Sequence, residues 1–423
     1  MKRRRFVQVA VAGAAGSSIL GSGLLAFAAE EAKTPRNAEF RFDRPFDGAI
    51  VHERSGSPVL GVVSDSGGKK LKIEIAGTLP DSSDRIELVD ARHPREKIAV
   101  RREATRFFAE AILEDAKTEL IATRTDARGE GKASARTRVI WLKDSYPRYR
   151  FQVDDNSFFT RDIHQKGYKS IFDSPYLGMF RDFHEKYGVK VVLNLFYTTP
   201  EEDFNLSQLS DRYKSEWQDN AHWLKLAFHA RNEFPDHPYL VGTPEQLRQD
   251  IDLIEGEIKR FAGEEVYTRT ALLHWGSIRP ESIRVLVEKG WRTLSGSLWP
   301  LRSASGAAYI AKYQVPEHAM RYLDEQDAWY HFDKGLLFSK IDLCCNRVPL
   351  KDTLPTLQRA YDNPNTREVM DLGTHEQYFW PFYKNYMPDH AQRLDRTFRF
   401  VTERGYRAIF PEDDVYEQVR DRV

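Results

Sequence analysis

Two adjacent aspartates, Asp154 and Asp155, follow a segment (148–153) whose polar and apolar residues alternate as in a β-strand. Neighbouring carboxylates repel each other, and neither can be buried without a partner for its charge. Such a pair therefore indicates a bound cation, a proton to be moved, or a turn. Asp and the following Asn156 also favour helix N-caps and Asx-turns, so the pair alone leaves these interpretations open.

Histidines and further carboxylates recur where other predicted strands end. His229 closes an apolar segment, and Glu233 follows four residues later. A carboxylate and an imidazole from different strands commonly bind zinc or another divalent ion, which makes Asp155, His229 and Glu233 the predicted metal ligands. The alternatives are a hydrogen-bonded core histidine at 229 and, at 233, a hydrogen-bond partner of His229 or an acid at a helix start.

The remaining candidates fall into two groups. His274 precedes Trp275-Gly276 and can serve as a ligand or a proton carrier, and His375-Glu376 can form an acid–base pair or simply begin a helix. The acid–base candidates are Asp154, His274, His375 and Glu376. The candidates for substrate contact are Tyr197, Trp275, Trp299 and Asp342.

These side chains need a scaffold that brings strand ends together. From residue 147 onward, apolar strands alternate with amphipathic helices, which is typical of a parallel sheet with helical crossovers. Helix-stop glycines such as Gly188 precede several strands, and Thr243-Pro244-Glu245-Gln246 reads as a helix start. The predicted strands are 150–154, 190–197, 224–229, 270–275, 292–296, 336–343, 368–373 and 406–410. The predicted helices include 175–186, one that begins after Thr243, 280–289 and 389–404.

This pattern predicts an irregular (β/α)7–8 barrel over residues 147–423, whose active site would lie at the C-terminal ends of the strands. A doubly wound open sheet is the alternative. No Gly-x-Gly-x-x-Gly or Walker motif follows a strand, which argues against a nucleotide-binding fold. The chain has no His-Glu-x-x-His and no Gly-x-Ser-x-Gly, so a zincin protease and an α/β-hydrolase are not indicated.

Residues 41–145 have a different pattern, in which six or seven short alternating segments are separated by turn residues. This predicts an immunoglobulin-like β-sandwich, and the chain is therefore expected to be multidomain. Residues 297–333 interrupt the β/α alternation with an aromatic-rich insertion that includes Trp299. Beside a barrel mouth, it would form either an aromatic platform for sugar rings or a hydrophobic flap.

The N-terminus, Met1-Lys2-Arg3-Arg4-Arg5-Phe6, matches the twin-arginine export pattern, and Ala26-Phe27-Ala28 offers a cleavage site. We expect a signal peptide at 1–28, a linker at 29–40, and a periplasmic or secreted protein without stable membrane insertion after cleavage. An uncleaved anchor is the alternative. The formal net charge is zero, which argues against nucleic acid as a partner. The two cysteines, Cys344 and Cys345, are adjacent, so no disulfide framework is expected.

The order of these motifs resembles the polysaccharide deacetylase (NodB-homology) superfamily, whose members remove acetyl groups from glycans with a divalent metal in a distorted (β/α)7 barrel. The segment 151–156 resembles its first motif, which implies that Asp154 is the general base and Asp155 a metal ligand. His229 matches the first histidine of the second motif, where Glu233 replaces the second histidine. Trp275-Gly276 resembles the third motif without its arginine, and His375 resembles the fifth.

The resemblance implies a divergent, exported hydrolase of a polysaccharide or oligosaccharide, with zinc as the expected ion. Asp154 would take a proton from water, and His375 or His274 would protonate the leaving group. One alternative is a metal-independent glycosidase or lyase that pairs Asp154 or Asp155 with Glu376. The other is a glycan-binding protein without catalysis.

Overall fold

Alternating polar and apolar residues form ten strands in the N-terminal part of the computed structural model, which describes residues 39–66, 68–269, 272–296, 301–302, 309–310 and 312–414. The predicted signal peptide, most of the predicted linker, Trp299 and part of the insertion 297–333 lie outside the described residues. The strands are β1 (Arg41–Arg44), β2 (Ala49–Val51), β3 (Val59–Asp65), β4 (Gly68–Thr78), β5 (Arg85–Asp90), β6 (Lys97–Ile98), β7 (Val100–Glu103), β8 (Arg106–Leu113), β9 (Lys117–Thr125) and β10 (Ala133–Trp141).

These strands form two layers around a common core. One sheet has the order β1-β4-β8-β7, with β3 also paired to β4, and the other contains β2-β10-β9-β5-β6. Ile73 and Phe107 of the first sheet and Leu120 and Trp141 of the second belong to the same buried apolar cluster. Strands with one face on this core show alternating burial, as in β9, which is the expected result of a side-chain period of two.

The C-terminal part alternates strands and helices. Its strands are β11 (Arg148–Asn156), β12 (Val191–Phe196), β13 (Leu224–Ala230), β14 (Tyr267–Thr268), β15 (Thr293–Gly296), β16 (Leu301–Arg302), β17 (Tyr309–Ile310), β18 (Ala328–His331), β19 (Leu336–Lys340), β20 (Leu343–Cys344), β21 (Val369–His375) and β22 (Arg407–Ala408). Its helices are α1 (Phe158–Lys166), α2 (Pro175–Tyr187), α3 (Lys214–Asp219), α4 (Pro238–Val241), α5 (Pro244–Phe261), α6 (Ile283–Glu288), α7 (Glu317–Leu323), α8 (Thr353–Asp362) and α9 (His390–Glu403).

A parallel sheet lies at the centre of this part, in the order β14-β13-β12-β11-β21-β20, with β22 beside the start of β11. Its strands all run in one direction, so their C-terminal ends meet at one edge. Strand β19 pairs with β15, and β20, three residues further along the chain, pairs with β21. Among the described residues, no pairing joins β14 to β15. The barrel and the immunoglobulin-like topology therefore stay predictions.

The two parts share one sheet, whose order β15-β19-β18-β2-β10-β9-β5-β6 runs from the C-terminal part into the sandwich. Trp329 of β18 pairs with Ala49 of β2, and the Trp329 indole donates a hydrogen bond to the Asp47 carbonyl at 2.7 Å. Gly48 lies at φ +87°, and a Cβ there would come within 2.0 Å of the Tyr330 carbonyl oxygen. Only glycine allows this close approach.

The helical signals in the sequence correspond closely to the observed helices. Thr243 is the N-cap of α5, and its hydroxyl accepts a hydrogen bond from the Gln246 amide. Behind this cap, Ile251, Ile254 and Ile258 are fully buried against the sheet. The prediction of a strand at 270–275 is wrong over its described residues. His274–Gly276 forms a 3-10 turn there, in which Trp275 has φ +64°.

Among the described residues, no helix is both long enough and apolar enough to cross a membrane. Both cysteines are free thiols.

Candidate metal centre

A bulge at the end of β11 sets the positions of both aspartates. In a regular strand, consecutive side chains point to opposite faces. The pairing of β11 with β12 shifts register between Val153 and Asn156, and Asp155 has φ +62°, in the left-handed region that non-glycine residues rarely adopt. As a result, Asp154 and Asp155 both line the same cavity. The Asn156 amide stabilises this conformation by donating to the Val153 and Asn194 carbonyls.

Asp155, His229 and His274 form a buried group that could bind a metal ion. The Asp155 Oδ1 atom lies 3.1 Å from His229 Nε2 and 3.3 Å from His274 Nδ1, and the two nitrogens are 3.3 Å apart. Ligands at about 2.0–2.1 Å from a tetrahedral ion are separated by about 3.3 Å. The three atoms therefore have the spacing of one face of a tetrahedral site.

Backbone carbonyls orient both histidines. The His229 Nδ1 atom lies 3.1 Å from the Leu272 carbonyl oxygen, and His274 Nε2 lies 3.0 Å from that of Glu233. A carbonyl can only accept, so these nitrogens carry the hydrogens, and the other ring nitrogens direct their lone pairs toward Asp155. Two lone pairs and a carboxylate oxygen then meet at one point, which is favourable only when a cation or a proton lies between them.

The charges of the group agree with this geometry. Burial alone would raise the pKa of Asp155, but its close contacts with His229 and His274 hold that pKa well below its usual range. Burial opposes charge on His229 too, yet Asp155 and Asp154 raise the pKa of His229 above its ordinary value. The site therefore favours one positive charge among its ligands, and a metal ion would replace the proton that supplies it.

Asp154 lies beside the group without belonging to it. Its Oδ1 atom accepts a hydrogen bond from the Asn194 amide at 2.8 Å, and Asn194 also contacts the Gln152 side chain. Asn194 comes from β12, so two neighbouring strands orient this carboxylate. It is 7% exposed and faces the cavity, and it can accept a proton there.

Tyr313 stabilises the loop that carries His274. The Tyr313 hydroxyl accepts a hydrogen bond from the Leu273 amide and donates to the Ser295 carbonyl, both at 3.0 Å. The Phe196 ring packs at 5.3 Å from the His229 ring and 4.9 Å from the His274 ring. These contacts fix the imidazoles without using their nitrogens.

A cavity of about 430 Å³ opens over the group. Such a volume is in the range of small-molecule sites. Trp275 lines its rim with 37% of its surface exposed. Strand β20 and the end of β21 form the wall that contains Asp342, Cys344 and His375.

Asn346 organises this wall. Its Oδ1 atom lies 2.9 Å from His375 Nδ1, 3.1 Å from the His375 amide, 3.2 Å from the Thr374 hydroxyl and 3.3 Å from the Cys344 thiol. This oxygen can only accept, so His375 carries its hydrogen on Nδ1, and Nε2 is left for the cavity. Burial raises the pKa of the Cys344 thiol, which therefore stays neutral and acts as a donor.

The structure places the other sequence-predicted residues as follows. The group that could bind a metal ion contains His274, for which the sequence left both a ligand role and proton transfer open, and not Glu233. Glu233 contributes its carbonyl to His274, while its carboxylate interacts with Gln377 and has a pKa raised by burial. Asp342 lines the cavity and accepts from the Asp371 amide, and burial raises its pKa to about 7. Tyr197 lies under the Arg231 guanidinium, outside the described cavity lining.

Glu376 is fully buried at the start of α1, outside that lining. Its two oxygens accept hydrogen bonds from the Ser157, Phe158 and Phe159 amides and from the Trp380 indole. Burial raises the pKa of Glu376 to about 7 against these donors. The residue thus satisfies the free amides of a helix N-terminus, a use that differs from the acid or base role expected from the sequence.

Sequence reasoning missed Asn346 and Arg347, which follow the predicted strand 336–343 and could have been found by the same strand-end criterion as His229. Asn194 lies near the end of the predicted strand 190–197, and the sequence assigned no role to its amide.

The chain matches no protein-family profile, and comparison with characterised proteins finds no match. Among solved structures, an engineered protein from the Northeast Structural Genomics Consortium aligns with 26% of this chain and 21% of its own, at 16% identity and a TM-score of 0.15. The type III pullulan hydrolase from Thermococcus kodakarensis aligns with 83% of this chain and 59% of its own, at 8% identity and a TM-score of 0.16.

A sialyltransferase from Photobacterium damsela aligns with 88% of this chain and 67% of its own, at 11% identity and a TM-score of 0.14. The matched parts span less than two thirds of the first two structures. At these TM-scores the similarities support no conclusion about fold or function.

Proposed function

We propose that this protein is a divalent-metal-dependent hydrolase that removes an acyl group, most simply acetyl, from a glycan. One observation carries the proposal: the Asp155–His229–His274 group has the spacing of a tetrahedral face, and a second carboxylate, Asp154, lies next to it. Metal-assisted hydrolysis requires such an arrangement, with ligands on one side and a separate proton acceptor on the other.

The donor set favours zinc. One carboxylate oxygen and two imidazole nitrogens at tetrahedral spacing are typical of catalytic zinc sites, which keep a fourth position open. When bound, the ion would supply Lewis-acid polarisation of the acyl oxygen and a lowered pKa for a coordinated water.

The residues of the chain would then divide the remaining work. Asp154, oriented by Asn194, would accept a proton from the attacking water as the water oxygen bonds to the acyl carbon. Asn346 holds the Nδ1–H of His375. Protonated His375 would give the proton on Nε2 to the leaving nitrogen or oxygen as the bond between that atom and the acyl carbon breaks. The products would be a carboxylic acid and the free amine or hydroxyl of the sugar.

A glycan as substrate is supported by the shape and lining of the cavity. Its volume suits one or two sugar rings, and the half-exposed Trp275 face at its rim offers a surface on which a sugar ring can stack. The motif order around Asp154, His229 and Trp275 gives the same expectation.

The test combines metal binding with acetate release. Calorimetry with zinc should show about one ion per chain in the wild type, and Asp155→Asn or His274→Gln should weaken binding at least tenfold. The exposed His164 is a matched control, and His164→Gln should bind zinc normally.

Triacetylchitotriose and 4-nitrophenyl acetate provide the acyl groups for the activity assay. Asp154→Asn should keep zinc and lose acetate release by about 10²–10⁴-fold. Zinc binding that is unaffected by both ligand substitutions would disprove the site, and a fully active Asp154→Asn protein would disprove the reaction.

A further inference from the structure

The lining of the cavity includes an arginine that the proposed chemistry does not use. Arg347 follows β20 in the turn after Cys344, where its own amide donates to the Cys344 carbonyl at 2.9 Å. Its side chain is exposed and lines the cavity beside Val348 and Tyr378. The charge is close enough to Cys344 to lower the pKa of its thiol against the effect of burial.

Arg347 differs in its surroundings from the aspartates Asp154, Asp155 and Asp342 and from His375, which line the same cavity. Asp154 has Asn194, Asp155 has its two histidines, His375 has Asn346, and Asp342 has the Asp371 amide. Within the part of the chain that the structure describes, the Arg347 guanidinium has neither an ion pair nor a hydrogen bond to the protein. Its five N–H donors are therefore available to a molecule in the cavity.

We infer that Arg347 binds an anionic substituent of the substrate, so that the preferred substrate is an acidic glycan. This inference rests on the proposed function and specifies its substrate class. A guanidinium matches the two oxygens of a carboxylate or a phosphate with paired hydrogen bonds, and each source of oxyanion is chemically suitable.

The balance of charge in the cavity is consistent with an acidic ligand. Asp154 and Asp155 would repel an anion in a metal-free site. A divalent ion offsets both carboxylates, and Arg347 then leaves a positive excess in the cavity lining. Asp342 reduces this positive excess less than an ordinary aspartate would, because burial raises the pKa of Asp342 to about 7.

Three sugars that share one ring and one acetamide group test the inference. They are N-acetylglucosamine, which is neutral, N-acetylmuramic acid, which adds a carboxylate, and N-acetylglucosamine 6-phosphate, which adds a phosphate. Dissociation constants are measured by ligand-observed NMR on the full zinc-loaded chain. We expect at least one acidic sugar to bind the wild type about tenfold more tightly than the neutral sugar.

Arg347→Gln should abolish that preference and leave the affinity for N-acetylglucosamine within twofold. Arg347→Lys should keep part of it, because the charge remains and the paired geometry is lost. Arg128→Gln, in an exposed turn of the sandwich, is the matched control and should behave as wild type. The acidic sugar that is preferred identifies the carboxylate or the phosphate as the recognised group.

Equal affinities for all three sugars, no binding of any of them, or a preference that survives in Arg347→Gln would each overturn the inference. Dissociation constants are taken from the signals of the intact sugars before acetate accumulates, so these outcomes are separate from acetate release. A selective protein that releases no acetate would contradict the proposed reaction and leave the anion site intact.

Discussion

Strand β9 of the sandwich and strand β11 of the parallel sheet are both nine residues long, but they bury different kinds of side chain. In β9, Thr118, Leu120 and Ala122 are buried, while Glu119 and Ile121 between them are partly exposed. In β11 all nine residues are buried, and six of them are arginine, glutamine, aspartate or asparagine. The sandwich strand follows the rule for a half-buried sheet, and the central strand of the other part does not.

The difference shows where the chain bears a stability cost. Buried polar groups are tolerated only with partners, and β11 has them on both sides. Arg148 pairs with Asp414, and Arg150 pairs with Asp371 and Ser339. At the other end of the same strand, Asp154 and Asp155 use Asn194 and two histidines. We interpret the arginine end as structural support and the aspartate end as the reactive end.

The largest expected effect comes from breaking this support. Arg150→Met leaves Asp371 buried without its cation, and we expect a loss of about 3–5 kcal/mol in unfolding free energy. Lys97→Met, which removes the exposed pair with Glu87 in the sandwich, should leave the unfolding free energy nearly unchanged, because solvent screens that pair. Urea denaturation measures both. Equal costs would remove the contrast between the two regions.

Acid should destabilise the protein through a histidine between the two regions. Burial lowers the pKa of His52 to about 4, and the Arg54 amide donates to its Nδ1, which holds the ring neutral even though Glu368 lies 3.9 Å away. The unfolded chain binds this proton near pH 6.5. Stability from His52 is therefore complete above pH 6.5 and falls by up to about 3 kcal/mol as the pH drops through 4.

His52→Asn keeps an acceptor for the Arg54 amide and should remove this part of the pH dependence. His390, whose pKa burial also lowers to about 4, should maintain a similar slope in the variant. Thermal melts between pH 4 and 7.5 provide the measurement. The exposed His164→Asn is the control, and a variant as acid-sensitive as the wild type would contradict the assignment.

A substitution at Glu376 tests whether its buried carboxylate has a structural or a catalytic role. Glu376→Gln keeps the size of the side chain but loses one acceptor at the start of α1, so we expect a loss of about 1–3 kcal/mol in stability. Acetate release should stay within about threefold of the wild type. A loss greater than a hundredfold with normal zinc binding would instead show that Glu376 takes part in the reaction.

The smallest effect concerns Asn346, which we consider a positioning residue for His375. Asn346→Asp adds a negative charge beside the imidazole, and a protonated His375 would then persist to higher pH. The alkaline limb of the pH–activity profile should move up by about one unit, equivalent to about 1.4 kcal/mol. Asn346→Ala should lower kcat about tenfold with little change in KM. An unchanged limb in Asn346→Asp would show that His375 is not the acid.

Local signals in the sequence were sufficient for most elements. The alternation over β9 and the cap at Thr243 depend on neighbours within a few residues, and the structure has both where they were predicted. The strand expected at 270–275 failed because the turn at Trp275 is held by Tyr313, some forty residues away in the sequence. The secondary-structure propensity of a segment contains no information about a contact so distant in the sequence.

The candidate site was predictable in its location but not in its membership. Asp155 and His229 were identified because they end strands, which is a local property. His274 joins them instead of Glu233 because the bulge in β11 and the left-handed conformation of Asp155 direct its carboxylate toward the loop after β14. That loop carries His274. Those torsions result from packing between strands, and the same residues in a regular strand would have pointed elsewhere.

The sheet shared between β18 and β2 has a practical consequence for protein engineering. A shortened chain starting near residue 147 would lose Ala49 and Gly48 from beside Trp329, and β18 would become an open edge with unpaired backbone groups. Such edges promote aggregation and domain swapping. The two parts should therefore be expressed and engineered together, and transfer of the C-terminal part to another protein would require a replacement strand for β2.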